Sequence, residues 1–246
     1  MKELAFVKRR HGLNVIHAVL ASFLFYFGAL ALIVIVCAVY DKVNQGAAEI
    51  NIVGAACLVI AAVLAIALIG FRAYLKRVDR EMDVLCPFVF SLPFRSEEEV
   101  LDALNAHLRL RPLDENSLYG RIKGKRTVHL FVICADDFDA EATCSAGKRC
   151  INQAINRHWV KDKAPLQEWA KTVFVNVFLV NRLNESAAAF LQDRISLEGL
   201  SPDMRVILDL ETMELYIPGC FGRDPAPSAM YVLCMEKFME WFAVEK

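Results

Sequence analysis

Four carboxylates carry the sharpest chemical possibility in this chain. Asp136 and Asp137 close an apolar run, while Asp209 and Glu214 flank a short turn farther on. Carboxylates brought within about 5 Å of each other in a concave pocket can hold a divalent cation or divide acid and base roles. The first pair also has a local account. An Asp just before a helix accepts from its free N–H groups and favours its dipole, and Asp137 or Asp139 stands where a helix is expected to begin. Nucleophilic chemistry finds less support. The cysteines, Cys37, Cys57, Cys86, Cys134, Cys144, Cys150, Cys220 and Cys234, include no C-x-x-C pair, so zinc and dithiol chemistry lack their usual spacing. Cys144 and Cys150 share one expected helix but point about 120° apart on it, which suits separate apolar thiols better than a shared metal or a disulfide. His107, His129 and His158 are scattered singly, and no G-x-S-x-G elbow is present. Neither G-x-x-x-x-G-K-[ST] nor G-x-G-x-x-G occurs, so no phosphate-cradling loop and no cofactor is expected.

Charge points elsewhere. The densest basic stretch beyond the N-terminal third is Arg121-Ile122-Lys123-Gly124-Lys125-Arg126. As a solvated hairpin tip it needs no function. Arg121, Lys123, Lys125 and Arg126 would equally suit a tip that touches anionic lipid or an acidic partner. Lys148, Arg149, Arg157, Lys161 and Lys163 form a second basic group along and after a long helix.

The elements that must position these residues alternate between strand-like and helix-like patterns. Phe88–Phe94 alternates like a strand, and Pro87 and Pro93 push it to a sheet edge or reduce it to an extended segment. Ser96-x-x-Glu99 is a capping box that opens a helix with a Val100, Leu101, Leu104, Leu108 stripe, closed off by Pro112. Ser117–Lys123 and Lys125–Cys134 form two strands about Gly124. A helix from Asp139 to Trp159 follows, with Ala140, Cys144, Gly147, Ile151, Ile155 and His158 down one side. Thr172–Leu183 is a strand, Asn184 caps a short helix over 185–195, and Val206–Leu210 pairs with Met213–Ile217. An amphipathic helix over Ser228–Phe242 ends the chain, with Tyr231, Met235, Phe238, Met239 and Phe242 on its apolar side. The expectation is one α/β domain, a mixed sheet packed against helices. This order resembles the αβββαβ core of restriction-endonuclease-like folds. Their pattern wants a Glu or Asp followed two residues later by Lys, but Glu214 is followed by Leu215 and Tyr216. The resemblance therefore implies a fold and not a nuclease site.

Upstream of that domain the chain is of another kind. Leu13–Tyr40 and Ile50–Phe71 are runs of 28 and 22 residues without a charged side chain, and about 20 helical residues cross a bilayer core. Both are too long for the h-region of a cleaved signal, and Val36 before Cys37 does not suit a lipoprotein signal. Ala18-x-x-x-Ser22 and Ala61-x-x-x-Ala65 would let two helices approach closely. The flanking cations are Lys2, Lys8, Arg9 and Arg10 before the first run, Lys42 between the runs, and Arg72, Lys76, Arg77 and Arg80 after the second. That distribution places both termini in the cytoplasm. The resulting division is a basic N-terminus over 1–12, a transmembrane hairpin over 13–71, a helical stalk over 72–83 and a cytoplasmic domain over 84–246. On the stalk, Lys76 with Asp79 and Arg77 with Glu81 have pairing distance. Arg72, Lys76 and Arg77 fall at headgroup level.

Residues 84–246 hold nineteen Lys and Arg against twenty-three Asp and Glu. A net acidic domain makes nucleic acid an unsuitable partner. Neither apolar run holds an Asp, Glu, Lys or Arg, so the hairpin is an anchor and not an ion path. The favoured function is a two-pass inner-membrane protein, bacterial in type, whose cytoplasmic domain works as an adaptor or sensor. Its expected partners are the bilayer and a protein or a second copy of itself. The alternative is a membrane-tethered hydrolase or nuclease using Asp136, Asp137, Asp209 or Glu214.

Overall fold

The computed structural model describes residues 2–45, 52–122, 127–160, 172–184, 187, 203–218 and 229–242. The chain divides into two compact units, one formed by Arg9–Glu81 and the other by Met1–Lys8 together with Met82–Lys246.

The first unit is a pair of long helices drawn from α1 (Lys2–Gln45) and α2 (Ile52–Leu85). Both are long and apolar enough to cross a membrane, over Lys2–Tyr40 and Gly54–Glu81. Their outer surfaces are apolar, with Phe25 78% and Ile66 71% exposed. The pair is antiparallel, since moving up α1 matches moving down α2. Arg10 Nε donates to Asp79 Oδ1 at 2.7 Å, Arg9 Nη2 to the Tyr74 hydroxyl at 2.8 Å, and the His17 ring stacks at 6.1 Å on Phe71. Farther along, a Cβ on Gly54 would stand 2.5 Å from Val34 Cγ1, so a larger residue there would have to displace Val34. The inward stripe of α2 is Gly54, Cys57, Ala61, Ala65 and Leu68, at helical spacing. Ala61 and Ala65 therefore lie where the small-residue pattern put them. Ala18 and Ser22 do not: both are exposed, and the Ser22 hydroxyl bonds back to Ala18 O at 2.9 Å. Of the two expected stalk pairs, Arg77–Glu81 forms, at 3.5 Å and well exposed. Asp79 turns instead to Arg10, because a guanidinium that is only 2% exposed needs a charge partner more than a solvated Lys76 does.

The second unit is a mixed sheet of seven strands in the order β1-β7-β6-β5-β4-β3-β2. The strands are β1 (Phe88–Ser91), β2 (Arg111–Asp114), β3 (Ser117–Ile122), β4 (Thr127–Asp137), β5 (Thr172–Arg182), β6 (Asp203–Asp209) and β7 (Glu214–Ile217). The central strands β4, β5 and β6 are parallel to one another, and every other neighbour is antiparallel. Parallel strands buried on both faces need apolar residues at nearly every position. β5 supplies them, with Val175, Val177 and Leu179 on one face and Phe174, Phe178 and Val180 on the other. As the prolines around it implied, β1 is an edge strand.

Helices cover both faces. On one lie α3 (Glu97–Leu108) and α5 (Ala229–Trp241). The Ser96 hydroxyl caps α3 by accepting from Glu99 N at 3.3 Å, and Glu99 reaches back to Arg95 N at 2.8 Å. Tyr231, Met235, Phe238, Met239 and Phe242 of α5 and its C-terminal flank are buried, as the apolar stripe required. Leu4 and Val7, from the first turns of α1, belong to the same core, and Lys8 pairs with Glu236 at 2.6 Å. On the other face lies α4 (Ala140–Asn156), capped by Asp139, whose Oδ1 accepts from Ala142 N at 2.6 Å. The stripe expected on α4 is rotated: among the described residues Thr143, Gly147, Cys150 and Ala154 are buried, while Ala140, Ile151 and Ile155 are partly buried against the same core. Gly147 sets the rotation, because it lies against Asn176 of β5, where an added Cβ would meet Nδ2 at 3.3 Å. The helix attributed to 185–195 lies outside the described residues except for Ala187, whose N–H bonds Asn184 Oδ1 at 3.1 Å, as a cap requires.

β2 was not anticipated. Pro112 does not end α3, which stops four residues earlier at Leu108. Arg109 takes the left-handed conformation at φ 49° and turns the chain, and the Asn105 side chain then accepts from Leu110 N at 2.8 Å. Pro112 falls in β2, at the opposite edge of the sheet from β1, where a missing N–H costs little.

Candidate functional site

The carboxylates are best placed first. β4, β5 and β6 are parallel, so Asp136 and Asp137 at the end of β4 and Asp209 at the end of β6 lie at the same, C-terminal end of these strands. β5 runs between them, which separates their backbones by about 10 Å. Asp209 is buried and its oxygens are engaged: Oδ1 accepts from Glu211 N at 2.8 Å and Thr212 N at 3.2 Å, and Oδ2 from Leu183 N at 3.2 Å. It clamps the β6–β7 turn and the exit of β5. Glu214, its register partner, accepts from the Tyr216 hydroxyl at 2.6 Å; burial and that carboxylate push the Tyr216 phenol up. Asp136 is exposed. Among the described residues, no three His, Cys, Asp or Glu side chains are placed to share a metal ion. Cys134 and Cys234 are no better as nucleophiles. Burial pushes both thiols up to about 12, and Cys134 Sγ also donates to Glu97 Oε1 at 3.1 Å.

A different site emerges at the β2 edge. A cleft of about 440 Å³ is lined by Leu108, Arg109, Arg111, Tyr119, Gly120, Arg121, His158 and Trp159. Its size falls within the range of small-ligand sites. Three separate stretches of chain build it. The turn from α3 into β2 brings Arg109 and Arg111; β3 brings Tyr119, Gly120 and Arg121; the exit of α4 brings His158 and Trp159.

Each stretch is held by identifiable contacts. Arg111 pairs in register with Tyr119, and Arg121 with His129 of β4. Gly120 lets the α3–β2 turn lie on β3, since an added Cβ would come within 3.1 Å of Leu108 Cβ. At the α4 exit, His158 is left-handed at φ 57°, its N–H bonds Ile155 O, and Trp159 N–H bonds Ala154 O, both at 2.9 Å. That is a Schellman closure with histidine where glycine is usual. Trp159 then stacks on Tyr119 at 5.1 Å between ring centroids. The Arg157 guanidinium stands 5.1 Å from the Trp159 ring and donates to Leu113 O at 2.7 Å and Pro112 O at 3.3 Å. Arg157 thus fixes the tryptophan and occupies carbonyls of the edge strand.

Electrostatically the cleft is a cationic depression on an acidic domain. Arg109, Arg111 and Arg121 are exposed, and among the described residues they form no ion pair and no acidic side chain lines the cleft. Beneath them the Tyr119 hydroxyl and His129 Nδ1 share a hydrogen bond at 2.8 Å. Burial pushes the His129 imidazole down to about 4, with Arg121 acting in the same sense. Burial also raises the Tyr119 phenol, against the pull of Arg121 and Arg111. The positive charge of the cleft therefore resides in the arginines. Of the three non-glycine residues with positive φ among the described residues, Arg109, His158 and Met213, two line this cleft. Left-handed backbone costs such residues about 1–2 kcal/mol and clusters where side chains must be aimed. Helix C-termini favour cations, which offsets part of that cost at Arg109.

Among the residues anticipated for surface contact, Arg121 lines the cleft, while Lys123, Lys125 and Arg126 lie outside the described residues. Arg72, Lys76 and Arg77 are exposed on α2, with Arg72 Nε 3.4 Å from His17 Nε2. Arg109, Arg111 and Trp159 were not singled out from sequence. The available signal was the alternation Leu108-Arg109-Leu110-Arg111 directly after a helix. No family model, no curated protein and no solved structure matches this chain.

Proposed function

We propose that this chain is a membrane-anchored binding protein, an adaptor or sensor whose domain receives an anionic ligand in the arginine cleft. The cleft carries the reading. Three exposed arginines without ion-pair partners among the described residues converge on one depression, beside an aromatic wall locked by Arg157. Guanidinium groups are the side chains best suited to bidentate recognition of carboxylate and phosphate. In this reading the apolar hairpin spans the inner membrane, and its flanking cations keep both termini cytoplasmic. Arg72, Lys76 and Arg77, with Lys123, Lys125 and Arg126, meet anionic headgroups. A protein partner or a second copy of the chain reads out occupancy.

The test is thermal unfolding of the full chain in detergent across a panel of inorganic phosphate, pyrophosphate, sulfate, acetate and citrate. At least one multivalent anion is expected to raise the midpoint in the wild type and not in Arg111→Gln/Arg121→Gln. No stabilisation by any of them, or equal stabilisation of the variant, removes the reading.

A further inference from the structure

The chemistry of the cleft narrows its ligand further, on the footing that the cleft is an anion site. We propose that it binds a phosphate-bearing ligand through a terminal phosphomonoester or diphosphate, with the rest of the ligand against Trp159 and Leu108.

Charge is the first argument. Arg109, Arg111 and Arg121 bring three permanent positive charges, and among the described residues no carboxylate on the cleft wall neutralises them. A single carboxylate would leave two unmatched, whereas a phosphomonoester brings about −1.5 to −2 near neutral pH and three acceptor oxygens. Geometry is the second. The arginines line one depression from the α3–β2 turn and from two paired strands, so three forks are available to one bound group. That arrangement suits a tetrahedral group with oxygens on every side better than a planar carboxylate. Volume is the third. At about 440 Å³ the cleft exceeds one phosphate and leaves room for an attached body along its apolar wall. The phosphate can belong to a soluble compound or to a lipid headgroup.

The experiment is isothermal titration of the full chain, in nanodiscs of neutral lipid, with inorganic pyrophosphate and separately with citrate. Pyrophosphate is expected to bind saturably and more tightly than citrate. Removing one guanidinium, in Arg111→Gln or Arg121→Gln, should weaken it by roughly ten- to a hundredfold, the worth of one charge-assisted hydrogen bond. Arg121→Lys, which keeps the charge and loses the fork, should fall between. Both positions are exposed, so folding should survive, checked by unchanged unfolding midpoints. Citrate binding as tightly as pyrophosphate overturns the phosphate assignment and leaves the anion reading intact; binding of neither overturns both. Nanodiscs containing phosphatidic acid, against matched phosphatidylserine, name the source. Selective loss of pyrophosphate binding with phosphatidic acid supports a lipid phosphate, and unchanged binding supports a soluble one.

Discussion

His129 shows how a residue can matter to a site without facing the ligand. It lies under the cleft, bonded to Tyr119, with its imidazole pushed down to about 4 by burial and by Arg121. In the unfolded chain a histidine titrates near 6.5. Between those values the unfolded state binds the extra proton, so stability should be level above about pH 6.5 and fall as pH drops towards 4. The full loss is about 3 kcal/mol. Urea unfolding at stepped pH should show this slope in the wild type and a flatter one in His129→Gln, whose amide still offers Tyr119 an acceptor. Arg121 also marks what sequence could reveal at this scale. It stood out as part of a basic run, but Arg109, Arg111 and Trp159 did not, because three separate stretches of chain meet only after the sheet has formed. Asp209 marks the converse. An acidic residue after a strand suggested chemistry, yet its oxygens serve backbone N–H groups.

Among the elements, the α3–β2 connection decides whether the cleft exists. Arg109 stops the helix by turning left-handed, and Gly120 allows the turn to settle on β3. Gly120→Ala places a methyl within 3.0 Å of Leu110 Cδ2 and 3.1 Å of Leu108 Cβ. The expected cost is about 1–3 kcal/mol, measurable by chemical unfolding, with anion affinity falling as the turn lifts. Most elements were legible from periodicity and caps: Ser96 and Asp139 cap α3 and α4, and the α5 stripe is buried as spaced. β2 was not legible, because Pro112 suggested a helix stop while the true stop is a left-handed arginine that carries no compositional mark. The rotation of α4 was hidden for a related reason. Which face turns inward depends on Gly147 meeting Asn176 of another strand.

For the whole molecule, two antiparallel apolar helices and a seven-stranded α/β domain make up the chain. The apolar runs were evident from length and charge alone. Less evident was the role of the first residues, which look like a solvated basic anchor because Lys2 and Lys8 flank them. The intervening Leu4 and Val7 are spaced to face one way, and both are buried in the domain core, Val7 completely. Leu4→Ala should therefore destabilise the domain by about 2–5 kcal/mol. Hydrogen exchange on α5 would reveal this as lost protection, whereas a purely membrane-anchoring segment would leave those amides unchanged.

The central claim, that the cleft captures an anion, is most directly tested by the emission of Trp159. The full chain with Trp169→Phe and Trp241→Phe leaves Trp159 as its one tryptophan. Titrated with pyrophosphate, its emission should change saturably, and the change should disappear when Arg121→Gln is added. A flat titration, or a response unaltered by Arg121→Gln, would contradict the account.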